Sequence, residues 1–308
     1  MKVTNPAIVA GVELGGTKVV VVRAQGKNIM DLRTIPTREV ATTLGSVLDI
    51  LRAWHGETPF AAMGIGSFGP LRLDRQAPDF GIMLPTPKPG WAGADIYATL
   101  TEPFDCPAAI DTDVNGAALA ELRWGAGAQG AVPSDSLCYI TIGTGVGGGF
   151  AFNGRTVHGA LHPEIGHIQV RRAPGDEFPG VCPFHGDCIE GLVSGPALAQ
   201  RFGAPGHSIA SDDPRWDFVA SDIAQMVTTI LMNVAARQVL IGGGVGMGRT
   251  DLLDRVRAKV VALAGGYLPY IDEASIASVV SAPLLGDRAG PLGTVALALG
   301  ALDGIRID

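Results

Sequence analysis

The chain has 308 residues, more than one ordinary core organises, so two domains with a cleft between them are expected. It is 47% hydrophobic and 17% charged with a formal net charge of −7, which excludes a disordered chain and the clustered basic footprint of a nucleic-acid binder. Residues 1–6 carry one Lys, the apolar run after them stops at Glu13, and the run 289–302 is too short and glycine-containing to span a bilayer. The expectation is a cytoplasmic protein with small-molecule partners, no nucleic acid and no membrane.

Residues 7–13 (AIVAGVE) and 18–24 (KVVVVRA) are rich in β-branched residues and flank Leu14-Gly15-Gly16-Thr17, the pattern of a β-hairpin. Residues 11–18 nearly spell a Walker A loop, but they end Thr-Lys and lead into a strand, so a P-loop is excluded. The bare amides of Gly15 and Gly16, the Thr17 hydroxyl and Lys18 remain as a candidate polyphosphate cradle, the alternative being a plain tight turn. A helix is expected near 43–54, a strand at 61–67, and a Pro/Gly-rich loop over 69–93, a length that is commonly functional. A short strand at 108–111 precedes a helix over 114–124, with Asp113 at the junction. Asp113 has two readings. One is an N-cap worth about 1 kcal/mol. The other is a general base, held ionised by the helix dipole, facing the cleft and taking the proton of a sugar hydroxyl that attacks a γ-phosphate.

Further on, 138–142 (CYITI) leads through a glycine turn, 143–149, into the strand 150–152. The grammar of residues 7–24 thus recurs about 130 residues later, which suggests two related domains, each opened by a phosphate-handling hairpin. Gly143, Gly145 and Gly148, like Gly64, Gly66 and Gly69, satisfy G-x-G-x-x-G, but no evident helix follows either set, so a dinucleotide fingerprint fails. A helix at 220–237 and a strand at 238–241 bring in a third glycine turn, Gly242-Gly243-Gly244. The three turns would share the β-phosphate, the γ-phosphate and the adenosine. The boundary is expected near residue 120. Residues 1–119 with a returning helix, 290–308, form the smaller domain, and 120–289 the larger.

Cys182, His185 and Cys188 in Cys-x2-His-x2-Cys spacing, with His167 upstream, supply four ligands for closed, structural, tetrahedral zinc; the alternative is two unrelated thiols beside surface histidines. Glu164 and Glu190 flank the cluster as solvated carboxylates or, beside a rigid metal knuckle, as acceptors for sugar hydroxyls.

The segments GVELGGTK (11–18), GIGSFGP (64–70), LPTPKPGW (84–91), DTDVNGAALAE (111–121), YITIGTGVGGG (139–149), HPEIGH (162–167), CPFHGDCIEGLVSGPA (182–197) and LIGGGV (240–245) together resemble the ROK family of sugar kinases, and within it the bacterial fructokinase branch. The resemblance runs from end to end. It implies an α/β fold of two actin/hexokinase-like (ribonuclease H-like) domains, and phosphoryl transfer from ATP, with Mg2+, to a hexose, fructose being the first choice. It further implies Asp113 as catalytic base and His167, Cys182, His185 and Cys188 as zinc ligands. Sugar-binding positions are Glu164, Glu190, Gly69, Pro70 and Thr112. Nucleotide positions are the Gly15–Lys18 turn, Thr144, Gly145, Pro196, Gly242, Gly243 and Gly244. A homodimer is implied as well. Thr112-Asp113 stands where many of the family's glucokinases have Asn-Asp, and His185 where they have a third cysteine; both resemble the fructokinase branch. Glu13 replaces the commoner Asp of the first phosphate motif, leaving contact with Mg2+ direct or through water. The rivals are a glucokinase or mannokinase of broad hexose tolerance, a ROK transcriptional regulator and a non-catalytic sugar sensor. The regulator would carry an N-terminal helix-turn-helix, whereas six residues precede the first strand here, and an intact Asp113 opposes the sensor.

Overall fold

A computed structural model of the protein describes residues 7–129 and 132–304. Residues 1–6 and 305–308, which the sequence assigns to the first domain, and Gly130 of the glycine-rich passage after α3 lie outside the described residues. In chain order the elements are β1 (Ile8–Leu14), β2 (Lys18–Gln25), β3 (Asn28–Pro36), α1 (Val40–Glu57), β4 (Met63–Ser67), α2 (Ile96–Thr101), β5 (Ala108–Thr112) and α3 (Asp113–Trp124). Then come β6 (Ser136–Ile142), β7 (Val146–Phe152), β8 (Arg155–Thr156), α4 (Ile189–Val193), α5 (Gly195–Phe202), α6 (Arg215–Val234), β9 (Gln238–Gly242), α7 (Gly243–Met247), α8 (Thr250–Ala264), α9 (Ile276–Val279), β10 (Val280–Ser281) and α10 (Ala289–Leu302).

The first sheet has the order β3-β2-β1-β4-β5, with β1–β2 and β2–β3 antiparallel and β1–β4 and β4–β5 parallel. The second has the order β10-β9-β6-β7-β8, with β9 parallel to β6 and β10, and β7 antiparallel to β8. Read from the other edge, 8-7-6-9-10 repeats 3-2-1-4-5 strand for strand. The recurrence legible in the sequence is therefore a repeated sheet, each copy opened by a hairpin with a glycine turn.

In the first sheet the period of two explains why the β1 and β2 sequences look apolar throughout. Ala10, Val12, Leu14, Val19 and Val21 join the core that α1 closes with Leu44, Val47 and Leu51. Val9, Val20, Val22 and Ala24 point the other way and meet Val295 and Ala298 of α10. Helices thus cover both faces of these strands. α10 is buried nearly all round because it also packs on α3.

The chain divides into two compact units. The first takes Met1–Pro133, Gly149–Pro163 and Leu285–Asp308; the second takes Ser134–Gly148 and Glu164–Leu284. The sequence placed the boundaries near residues 120 and 290 and did not include the 149–163 excursion. Hydrogen bonds tie that excursion to α3 and β5: Phe150 N–H donates to Asn115 Oδ1 at 3.0 Å, and His158 Nε2 donates to Asp111 Oδ1 at 3.1 Å.

Several local readings are corrected. Residues 146–149 continue β7 instead of forming a turn; at Gly149 a Cβ would run into the Val114 backbone, so the glycine serves a close approach. The residues 242–244 do not form a plain turn, because Gly243, at φ +80°, opens α7. β3 and α2 have no counterpart in the sequence reading. No described helix is long and apolar enough to cross a membrane.

Candidate active site

The corner between β5 and α3 carries a buried polar network. Thr112, extended at φ −68° and ψ 152°, is the N-cap of α3, and its hydroxyl oxygen accepts the Asn115 N–H at 3.1 Å. The cap reading considered for Asp113 therefore passes to Thr112. Asp111 is fully buried, and its Oδ1 accepts from Thr112 N at 2.7 Å, Asn115 Nδ2 at 2.8 Å and His158 Nε2 at 3.1 Å. Asp113, the first residue of the helix, accepts the Val114 N–H at 2.9 Å. Its carboxyl is nevertheless pushed up from 3.8 to about 6, chiefly by desolvation, with Asp111 adding repulsion. Desolvation thus outweighs the backbone N–H bonds at the start of α3, whereas the sequence expectation was a carboxylate held ionised by the helix dipole. A carboxylate with this value is poised as a general base near neutral pH.

Glu13, at the end of β1, is the neighbouring carboxyl. Burial first, then repulsion from Asp113, pushes it up to about 7, with Lys18 acting in the opposite direction. Gly290, in the first turn of α10, makes room for it, since a Cβ there would overlap the Glu13 carboxylate. The end of β4 runs alongside, with Ser67 paired to Thr112. Beyond it, Gly69 O accepts the Thr86 hydroxyl at 3.1 Å and Pro70 O accepts Leu84 N–H at 2.8 Å. The next amide, Leu71 N–H, donates to Nε2 of buried His162 at 3.0 Å.

The turn between β1 and β2 is closed by Gly15 N–H to Lys18 O at 3.0 Å. Thr37 fixes it from outside, donating its hydroxyl to Gly15 O at 2.7 Å and its N–H to Thr17 O at 2.9 Å. Gly16 and Thr17 are left exposed at the tip.

The second unit holds a mostly apolar cavity of about 400 Å³. Gly143 and Thr144 of the β6–β7 turn, Gly195 and Pro196 at the start of α5, and Gly244 of α7 line it. Gly195 N–H donates to Gly143 O at 2.7 Å, which joins turn and helix. Of the remaining expected nucleotide residues, Gly145 packs against Glu190, Gly242 against Tyr139 and Pro283, and Gly243 against Ile142; none of the three lines the cavity. Sequence reasoning missed the far wall, where the Arg249 guanidinium lies 4.3 Å from the Trp216 ring centroid. Leu198, Ala199 and His207 complete that side. Only the fold brings these residues together, so no local pattern marks them.

The second unit also gathers His167, Cys182, His185 and Cys188, whose ligand atoms all lie within 4.8 Å of one another. His167 Nδ1 stands 3.7 and 3.6 Å from the Cys182 and Cys188 sulfurs and 3.3 Å from His185 Nδ1, which is 3.8 Å from Cys182 Sγ. Tetrahedral zinc, with bonds of about 2.3 Å to sulfur and about 2.0–2.1 Å to nitrogen, requires S···N of about 3.6 Å and N···N of about 3.3 Å. The donor set fits in kind and in spacing. Paired backbone bonds between Cys182 and Gly186, and Ile189 N–H to Ile168 O at 3.1 Å, hold the knuckle closed.

The five expected sugar residues divide between the units. Gly69, Pro70 and Thr112 lie in the first, together with Asp113, whereas Glu164 and Glu190 lie in the second, beside the His/Cys cluster. Glu164 is exposed, and Glu190 Oε2 accepts the Val146 N–H at 3.0 Å.

A repeated 3-2-1-4-5 sheet, with a glycine turn opening each copy, is the α/β architecture of the actin and hexokinase class. The chain belongs to the ROK family, whose model matches residues 9–301. It is 38% identical to the fructokinase of Zymomonas mobilis over 296 residues, covering 94% of this chain and 96% of that protein. To the fructokinase of Pediococcus pentosaceus it is 36% identical over 298 residues, covering 96% and 99%. Among solved structures, the ROK hexokinase from Thermus thermophilus superposes with a TM-score of 0.76 at 25% identity, covering 96% of this chain and 99% of that one.

Proposed function

We propose that the protein is an ATP-dependent fructokinase that transfers the γ-phosphoryl group to the 6-hydroxyl of D-fructose. The observation that carries the reading is Asp113: a desolvated carboxyl at about 6, fixed at a strand-to-helix corner. The chain that carries it is similar over nearly its whole length to fructokinases. Fructose is preferred over glucose as substrate because the fructokinase relatives stand at 34–38% identity, against 29% for the glucokinase of Halalkalibacterium halodurans.

In this reading Asp113 accepts the proton of the sugar hydroxyl as that oxygen attacks phosphorus. Thr112, Gly69, Pro70, Glu164 and Glu190 bind and orient the sugar. The cavity of Thr144, Pro196 and Gly244 takes the nucleotide, with Gly145, Gly242 and Gly243 as supporting backbone, and the Gly15–Lys18 turn is assigned to phosphate contact. Mg2+, when bound with ATP, neutralises phosphate charge, and Glu13 is the carboxylate beside the turn. His167, Cys182, His185 and Cys188 hold a structural zinc that fixes the knuckle bearing Glu190. The family resemblance supports a homodimer in the cytoplasm, with residues 1–119 plus 290–308 and 120–289 acting as its two functional domains.

The test is ADP release by the purified protein with Mg-ATP and fructose, mannose, glucose or no sugar at equal concentrations. Dominant turnover of fructose is expected. Equal rates on mannose or glucose would replace fructokinase by a broad hexose kinase, and no sugar-dependent release would remove the kinase reading.

A further inference from the structure

The segment LPTPKPGW, residues 84–91, is anchored at both ends within the first unit. At its start, Leu84 N–H and the Thr86 hydroxyl bind the carbonyls of Pro70 and Gly69 at 2.8 and 3.1 Å. At its end, fully buried Trp91 donates Nε1–H to Arg38 O at 3.0 Å and sets its ring edge-on to Phe68, centroids 5.1 Å apart. The stretch between these anchors is short, and its tip carries Lys88.

Lys88 is half-buried, and its Nζ donates to Gly16 O at 2.5 Å, at the outermost point of the β1–β2 turn. Among the described residues, a Cβ at Gly16 would meet no atom within 4 Å. The other cation of this turn, Lys18, acts on the Glu13 carboxyl and is to that extent compensated. Among the described residues Lys88 makes no ion pair. An ammonium has three donors and prefers charged oxygens to a carbonyl, so this lysine has capacity in reserve, directed at a turn whose surroundings are open.

Resting on the kinase reading above, we propose that Lys88 is a catalytic residue that supplies positive charge to the phosphoryl group during transfer. In that step the sugar oxygen–phosphorus bond forms, the bond from γ-phosphorus to the bridging oxygen breaks, the hydroxyl proton passes to Asp113, and ADP leaves. Lys88 enters no covalent bond. Its ammonium exchanges the Gly16 carbonyl for phosphoryl oxygens as charge spreads over them in the transition state. The same loop holds the Gly69 and Pro70 carbonyls, so the residues expected at the sugar and the cation for the phosphoryl group share one rigid strap.

Steady-state kinetics with Mg-ATP and fructose on the full chain, comparing wild type, Lys88→Met and Lys88→Arg, tests the proposal. Methionine keeps the stem and removes the charge. Its kcat is expected to fall about 100-fold or more, with both KM values within about threefold, the signature of a group used in the transition state. Arginine is expected to turn over at least about tenfold faster than methionine. A methionine variant within about threefold of wild-type kcat, a loss carried by KM alone, or equal losses in both variants would overturn it. Wild type that releases no ADP with any hexose would instead remove the kinase reading itself.

Discussion

The Thr112 hydroxyl oxygen accepts the Asn115 backbone N–H at 3.1 Å, and this single bond caps the helix whose first residue is Asp113. The Asp113 carboxylate itself accepts the neighbouring Val114 N–H at 2.9 Å. Replacing Thr112 with Ala should cost about 1 kcal/mol of stability, whereas Ser should restore the loss, because either hydroxyl can cap. Urea unfolding of the two variants measures this; equal stability for Ala and Ser would assign the cap elsewhere.

The Asp113 carboxyl, raised by desolvation to about 6 from 3.8, makes a signed prediction for pH. As a base it must be ionised, so kcat/KM should fall about tenfold per unit below pH 6. For stability the sign is reversed. A raised carboxyl favours folding below its unfolded value, and that contribution is lost as pH rises through about 6. Asp113→Asn should therefore be more stable than wild type at pH 8, by on the order of 1–3 kcal/mol, and the gap should close between pH 6 and 4. A gap that is constant with pH would show that Asp113 is not desolvated in the folded protein.

The S···N and N···N spacings around His167 match tetrahedral zinc, and the four side chains gather at the knuckle of residues 182–188. Cys188→Ser should abolish stoichiometric zinc and lower the melting temperature together, since ligand-site free energy is folding free energy. Elemental analysis and calorimetry on one preparation read both; full zinc with unchanged melting would remove the site.

Gly149 in β7 faces the Val114 backbone, where a methyl has no space. Gly149→Ala should destabilise the protein by about 1–3 kcal/mol. It should also displace the first turn of α3, lowering kcat more than it raises the KM for ATP. Retention of both stability and kcat would mean that this approach is looser than described.

What the sequence revealed follows from how strongly each segment repeats one physical signal. The four valines of β2, alternating between two covered faces, and the Cys-x2-His-x2-Cys run announce themselves. β3 did not, because it is an edge strand, mostly exposed, and Met30 and Leu32 lie among polar neighbours with no alternation to read. Glycine misled at 146–149, where it serves close packing within a strand and not a turn. The pairing of Arg249 with Trp216, and of Lys88 with Gly16, joins residues far apart in the chain, which no window of sequence contains. Asp113 was legible by position, but its raised proton affinity was not, since it arises from burial that only the fold creates.

The most direct test of the account is the rate of fructose phosphorylation by Asp113→Asn beside wild type, followed by 31P NMR of the product under saturating Mg-ATP. The account predicts a folded variant that makes fructose 6-phosphate more slowly by about 10³-fold or more. A folded variant within about tenfold of wild type would contradict Asp113 as the base and with it the site described above.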